Sequence, residues 1–133
     1  MSTFTLDPVI ESVTVKLADW PLSRVLLYND SRFHWGLLVP RRAGAVEICD
    51  LDAGDQAQLM TEIARLSKLI RVLPGVEKLN VGALGNMVPQ LHVHVIGRYR
   101  GDPAWPGPLW GHSPPVPWPD PAAAPLAGLV SKD

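Results

Sequence analysis

The run Gln-Leu-His-Val-His-Val at residues 90–95 alternates between polar and apolar side chains. Strict alternation over six residues is typical of a β-strand with one face in the core. Side chains two residues apart lie on one face of a strand, so Gln90, His92 and His94 share a face and the apolar residues between them face the core. Buried imidazoles are costly unless they are hydrogen-bonded or open to a cleft. The pattern therefore predicts a site where imidazole acts as nucleophile, acid or phosphate ligand.

The clearest helix of the chain is predicted over residues 53–73. Asp52 is a good N-cap, and Pro74 with Gly75 ends the pattern. The apolar positions recur every three or four residues, which is typical of a helix with one buried face. They are Leu59, Ile63, Leu66, Ile70 and Leu73.

Short apolar runs predict four strands around this helix. Residues 24–28 and 33–39 form a hairpin across an Asn-Asp-Ser turn. Residues 78–84 and 88–98 form two more strands, joined across a Gly-Asn pair. The order β, β, α, β, β, with one helix packed on a mainly antiparallel sheet, predicts an α+β fold. Residues 8–16 fit either a short helix or a loop that enters a strand.

Length and charge restrict the class of protein. The 133 residues favour one domain, and the net charge of −1 gives no global attraction to nucleic acid or to an anionic membrane. No apolar run approaches the roughly 18 residues of a membrane span, and the N-terminus does not resemble a secretory signal. The single cysteine, Cys49, cannot form an intrachain disulfide. We expect a cytoplasmic protein that binds neither nucleic acid nor membrane.

The composition changes after residue 100. Nine of the 14 prolines lie between Pro103 and Pro125, together with three tryptophans. Such a segment cannot form a central strand or a long helix, and its large rings gain free energy by docking. We therefore expect a main domain over residues 1–100 and an extension over residues 101–133 that wraps the same domain. Residues 122–133 are expected to fray or to form one short turn.

Residues 85–96, with the sequence Gly-Asn-Met-Val-Pro-Gln-Leu-His-Val-His-Val-Ile, resemble the signature of the histidine triad (HIT) family. That signature is His-φ-His-φ-His-φ-φ, in which φ is apolar, and Gln90 stands in the place of its first histidine. The resemblance also covers Leu-Leu-Val-Pro-Arg-Arg at residues 37–42, the helix, and Leu-Asn-Val-Gly at residues 79–82. The segment 101–111 looks like the tail of a bacterial subgroup of the family.

The resemblance implies a HIT-like fold and nucleotidyl chemistry at a nucleoside phosphate, such as a dinucleoside polyphosphate or a phosphoramidate. His92 matches the middle histidine, which attacks the α-phosphorus, and His94 matches the third, which contacts phosphate oxygens. Gln90 retains the backbone carbonyl that orients the nucleophile in the family. The resemblance implies no metal ion and no cofactor as a resident part of the protein. We expect an enzyme with a nucleotide substrate that assembles as a homodimer, the usual state in the family.

Further positions of the family's site match polar residues of this chain. Asn29 or Asp30 lies near the acceptor of ribose hydroxyls, and Asn80 matches a residue that contacts phosphate. The backbone amides of Gly85 and Asn86 are candidates for part of the anion pocket.

Two further positions depart from the family's pattern. Met87 stands where hydrolases of the family carry a hydroxyl that assists the leaving group, and methionine cannot donate that hydrogen bond. Trp35 stands where several relatives carry another histidine.

Other interpretations stay open at the level of sequence. The chain can be a HIT-like nucleotide-binding module with little or no turnover, which the residues Gln90 and Met87 favour. A zinc site on the two strand histidines needs at least one more ligand, and the candidates are His34, His112 and Cys49 if the fold brings them close. Otherwise we expect His34 to be an ordinary strand residue and His112 to lie on the surface of the extension.

Overall fold

The computed structural model describes residues 3–132, which form a five-stranded antiparallel sheet, three α-helices and two single 3-10 turns. Strands β1 to β5 are, in chain order, Thr14–Asp19, Ser23–Tyr28, His34–Pro40, Lys78–Gly82 and Val93–Arg98. Helices α1 to α3 are Pro8–Val13, Ala53–Arg71 and Pro125–Lys132, and the 3-10 turns are Ile48–Asp50 and Pro121–Ala123. The predicted α+β class, with a main helix on an antiparallel sheet, is confirmed.

The strands follow the order β1-β2-β3-β5-β4 across the sheet. The predicted hairpin is present, because β2 pairs antiparallel with β3. The sequence-based order lacks the first strand, β1, which pairs with β2 after the short helix α1. Its side chains are only partly buried, so β1 has a weaker hydrophobic pattern than the central strands. The central position of β5, between β3 and β4, places the histidine segment in the middle of the molecule.

Helix α2 covers one face of the sheet. Its N-terminus is capped by Asp52, whose side chain accepts a 2.8 Å hydrogen bond from the backbone N–H of Asp55. The helix approaches β3 so closely that a Cβ on Gly36 would lie 2.9 Å from a methyl group of Leu66. The buried face also carries Glu62, whose carboxylate accepts hydrogen bonds of 2.8 and 2.9 Å from the N–H groups of Leu22 and Ser23. This carboxylate thereby fixes the start of β2 against the helix.

The second face of the sheet is also covered, so β5 is buried on both faces rather than on one. The N-terminal segment and residues of the extension pack there, among them Leu109. The last part of the extension differs from the predicted frayed end, because Pro125–Lys132 is a helix. Its apolar side chains, including the fully buried Leu126, join the core beneath α2, which explains why it is ordered. Asp133 lies outside the described residues.

The helices of residues 3–132 are all too short or too polar to cross a membrane.

Candidate active site

The two histidines of the alternating run lie at the start of β5. His94 pairs with Leu37 of β3 and with Gly82 of β4. His92 precedes the first residue of the strand, which begins at Val93 and not at residue 88 as predicted. The reason is that the N–H of Leu91 donates to the carbonyl of Ala45, in a loop, instead of joining the sheet. Both imidazoles are nonetheless close together, with ring centroids 5.1 Å apart.

The partner of His92 defines its tautomer. Its Nδ1 lies 2.6 Å from the backbone carbonyl oxygen of Gln90. A carbonyl only accepts hydrogen bonds, so Nδ1 carries a hydrogen and donates it. In the neutral ring the other nitrogen, Nε2, then holds a lone pair. This arrangement prepares Nε2 of His92 for nucleophilic attack, and it is the one that the family resemblance implies.

His94 has the opposite tautomer. Its Nδ1 accepts a 3.0 Å hydrogen bond from the indole Nε1–H of Trp35, so in the neutral ring the hydrogen is on Nε2. Burial, and to a lesser degree the neighbouring His92, lowers the pKa of His94 to about 3. His94 is therefore neutral at physiological pH. It offers one N–H donor without adding a charge.

A cavity of about 320 Å³ opens above these rings. His92, His94 and Trp35 line it, and the extension contributes Trp110 and His112. Tyr28 stacks on Trp35 with ring centroids 4.0 Å apart, which builds an aromatic surface inside it. The apolar part of the wall includes Val9, Ile10, Val13, Phe33 and Leu37. The cavity thus combines an apolar wall with a small set of polar groups, which is typical of ligand sites.

Of the five predicted substrate-binding residues, three line the cavity. These are Asp30, Gly85 and Asn86. Gly85 has a φ of +81°, a backbone conformation that glycine adopts readily. Within the described chain, the backbone N–H groups of Gly85 and Asn86 donate to no other residue. They are available to an anion.

The other two predicted residues do not line the cavity, because each has a partner elsewhere. The side-chain oxygen of Asn29 accepts a 2.9 Å hydrogen bond from the N–H of Trp118 in the extension. The side-chain oxygen of Asn80 accepts a 2.8 Å hydrogen bond from the buried guanidinium of Arg98. Arg98 in turn forms an ion pair with Asp102. Asn29 therefore holds the extension directly, and Asn80 orients Arg98, which holds the extension through Asp102.

The side chain of Gln90 turns away from the histidines. Its Oε1 accepts a 2.8 Å hydrogen bond from the N–H of Asp7, and its Nε2 donates to the carbonyl of Thr5 at 2.8 Å. These bonds hold the segment that leads into α1, and α1 forms part of the cavity wall. Gln90 therefore contributes its backbone carbonyl to His92 and its side chain to the N-terminal segment.

Arg32 is a cavity residue that the sequence did not predict. Its guanidinium binds both carboxylate oxygens of the buried Asp30 at 2.9 and 2.8 Å. It also donates to Ser113 at 2.8 Å and to the carbonyl of Pro114 at 3.0 Å, both in the extension. The tryptophans predicted that the extension docks, but no sequence signal indicated that it docks at the histidines.

The extension also brings His112 to the cavity, although the sequence predicted only an ordinary surface position. Met87 lies at the rim with 93% of its surface exposed. Among residues 3–132 no group of three histidine, cysteine, aspartate or glutamate side chains is arranged to hold a metal ion.

Comparisons with known proteins agree with the geometry. The family model described as "HIT domain" matches residues 10–101. Histidine triad proteins from Bradyrhizobium japonicum and Marinobacter aquaeolei have 44% and 45% identity to this chain, each with a TM-score of 0.93. The alignments cover 98% of this chain in both cases, and 98% and 96% of those chains.

A histidine triad protein from Sinorhizobium meliloti has 42% identity and a TM-score of 0.92, over 98% of this chain and 96% of that one. No protein among the curated sequences matches the chain significantly.

Proposed function

Since this chain belongs to the HIT domain family, whose members generally hydrolyse or transfer nucleotides, we propose that it cleaves a nucleoside phosphate derivative at its α-phosphate through a nucleotidyl-His92 intermediate. The observation that carries the proposal is the pair of opposite tautomers. His92 directs a lone pair, and His94 an N–H, from neighbouring rings that line one cavity. Phosphoryl transfer needs such a nucleophile beside a donor for the phosphate oxygens.

In the first step Nε2 of His92 attacks the phosphorus and forms a P–N bond. The bond to the leaving group breaks, and the leaving group departs with the electron pair and acquires a proton. In the second step water attacks the same phosphorus, loses a proton, and releases the nucleoside monophosphate. His92 takes back the electron pair of the P–N bond and returns to its starting state.

The remaining cavity residues bind and orient the substrate. The N–H of His94 and the backbone amides of Gly85 and Asn86 bind the phosphate oxygens. The apolar wall with the Tyr28–Trp35 stack accommodates the nucleoside. Both oxygens of Asp30 already accept from Arg32, so a ribose hydroxyl would have to share this carboxylate with the guanidinium.

Turnover and binding distinguish this proposal from the alternative of a nucleotide-binding module. The purified protein is incubated with an adenosine 5′-phosphoramidate and, separately, with diadenosine tetraphosphate, and release of AMP is followed. Multiple turnovers of either compound support the enzyme. Binding of AMP in calorimetry without release from either compound supports the module, in which His94 and the amides still hold phosphate.

We further infer that the chain belongs to a bacterial subgroup of the family, and that Gln90 stands in this chain in the place of the first triad histidine. The three bacterial relatives with 42–45% identity support this, because their similarity extends over the extension as well. The bonding of Gln90 gives a physical reason, because its amide both donates and accepts within the N-terminal segment. A neutral imidazole offers one donor and one acceptor in a different geometry.

We also propose a homodimer in which an edge strand and α2 form the contact. Strand β4 pairs only with β5 among the described strands, so its outer edge is open. Exposed apolar side chains lie on these elements, including Met60 of α2 and Val81 of β4. Light scattering at micromolar concentration should give twice the mass of one chain, and the mass of a single chain would contradict the proposal.

A further inference from the structure

A third histidine from the extension, His112, lines the same cavity as His92 and His94. We infer that His112 is a catalytic residue that donates the proton to the leaving group, a role that the family signature does not assign to any residue of the extension. The inference rests on the proposed function, since it concerns the group that departs when His92 attacks.

The fold fixes the position of the extension around this residue. Leu109 is buried, and the ring of Trp110 packs against His94 with centroids 5.4 Å apart. The same ring fits against β4 because Gly82 has no side chain, and a Cβ there would lie 3.2 Å from it. The N–H of His112 then donates to the carbonyl of Leu109 at 3.0 Å, which closes a turn. The buried anchor, Leu109, precedes His112 by only three residues.

A chain of hydrogen bonds orients the imidazole from the other side. The buried Asp30 binds Arg32, and Arg32 donates to the Oγ of Ser113 at 2.8 Å. This Oγ lies 3.1 Å from Nδ1 of His112. A hydroxyl can accept from a protonated Nδ1 or donate to a bare one, so it supports both states of the ring. In either state Nε2 remains available for the cavity.

The step needs an acid that gives up a proton near neutral pH, and the neutral donors of the cavity, such as the N–H of His94 and the hydroxyl of Ser113, do not act in this way. Met87 has no proton to give. The lone pair of His92 is used in the attack, and His94, whose pKa burial lowers to about 3, is not protonated at neutral pH. Burial raises the pKa of Tyr28, and the guanidinium of Arg32 is paired with Asp30. Imidazole is the side chain that gains and loses a proton near neutral pH, and the side chain of His112 is in contact with solvent.

With a phosphoramidate substrate, His92 and His112 act in the same step. Nε2 of His92 forms the bond to phosphorus, and the phosphorus–nitrogen bond of the substrate breaks with its electron pair on the leaving nitrogen. The imidazolium of His112 transfers its Nε2 proton to that nitrogen, which leaves as a neutral amine. Neutral His112 then accepts a proton from the water that attacks the nucleotidyl-His92 intermediate, which restores the imidazolium.

The test compares two adenosine 5′-phosphate derivatives that differ in their need for a proton. A primary alkylamide requires protonation of its leaving nitrogen, whereas p-nitrophenolate leaves without a proton. We expect His112→Gln to lower kcat/KM for the alkylamide by about 10²-fold or more, which is the usual contribution of general acid catalysis. For the p-nitrophenyl ester we expect a loss of less than about 3-fold, within the effect of one neutral hydrogen bond.

Two variants serve as controls. His34→Gln removes a histidine of β3 that does not line this cavity, and it should leave both rates unchanged. Ser113→Ala removes the partner of Nδ1 while it keeps His112, and it should slow the alkylamide less than His112→Gln does. Equal losses for both compounds in His112→Gln, or none for the alkylamide, would overturn the inference and leave the proposed function intact. Wild-type protein that cleaves neither compound would overturn both.

Discussion

The indole Nε1–H of Trp35 donates a 3.0 Å hydrogen bond to Nδ1 of His94, on the strand beside it. This bond exists only while Nδ1 is unprotonated, so Trp35 selects the tautomer of His94 that presents Nε2–H. A tryptophan can hold this role because its indole is a donor and never an acceptor. Trp35, which departs from the family's pattern, therefore acts on the site through His94.

The energy of this bond can be measured with a double-mutant cycle of Trp35→Phe and His94→Leu. A buried neutral hydrogen bond predicts a coupling of about 1 kcal/mol in the free energy of unfolding, obtained by urea denaturation. The matched cycle of Trp110→Phe with His94→Leu tests a ring contact, because Nε1 of Trp110 has no hydrogen-bond partner among the described residues. Equal coupling in both cycles would show that the Trp35 bond adds nothing to ring packing.

The lowered pKa of His94 predicts a loss of stability in mild acid. The unfolded chain binds a proton at this residue below about pH 6.5, whereas the folded chain does so only near pH 3. The unfolded state therefore binds more protons in this window, and the free energy of unfolding falls as the pH falls. His94 lowers the free energy of unfolding by up to about 1.4 kcal/mol for each pH unit of this fall.

The measurement is the free energy of unfolding of wild type and of His94→Leu at several pH values between 4 and 8. The variant lacks the titrating group. The free energy of unfolding of wild type should therefore fall relative to that of the variant as the pH falls below about 6. The carboxylates common to both proteins cancel in this difference. A difference that is constant with pH would show that His94 titrates normally in the folded protein.

The sequence predicted the features that depend on residues close together in the chain better than those that depend on distant segments. The helix and the central strands follow from local periodicity, as the cap at Asp52 and the hairpin at residues 29–33 show. The pairing of Nδ1 of His92 with the carbonyl of Gln90 joins residues two apart, and the motif itself implies it. Local patterns of this kind are visible in one sequence.

Contacts between distant segments were not predictable in the same way. Arg32 meets Ser113 across 81 residues, and Gln90 meets Asp7 across 83. Such partners are decided by how the extension and the N-terminal segment cover the sheet, and neither segment has a period that indicates its docking site. The prolines predicted an extended chain, but the short helix at Pro125–Lys132 depends on burial of Leu126 in the main core.

Met87 is exposed at the rim of the cavity, and we expect a hydroxyl at that position to raise the rate of cleavage modestly. Met87→Ser should raise kcat/KM roughly 2- to 13-fold for poor leaving groups. This range corresponds to one neutral hydrogen bond that stabilises the transition state by about 0.5–1.5 kcal/mol. The gain should be smallest for good leaving groups such as a nucleotide polyphosphate. Met87→Ala is the control, because it removes the thioether and adds no donor. The same rates in all three proteins would mean that assistance to the leaving group does not depend on this position.

The central claim is that His92 forms a bond to phosphorus, and the turnover of His92→Ala tests it most directly. The measurement is kcat for release of AMP from an adenosine 5′-phosphoramidate by the variant and by wild type. The account predicts a fall of several orders of magnitude with substrate binding largely retained, because the lost group acts in the transition state. A variant that keeps more than about a tenth of the wild-type rate, which is a change of less than about 1.4 kcal/mol, would contradict the account.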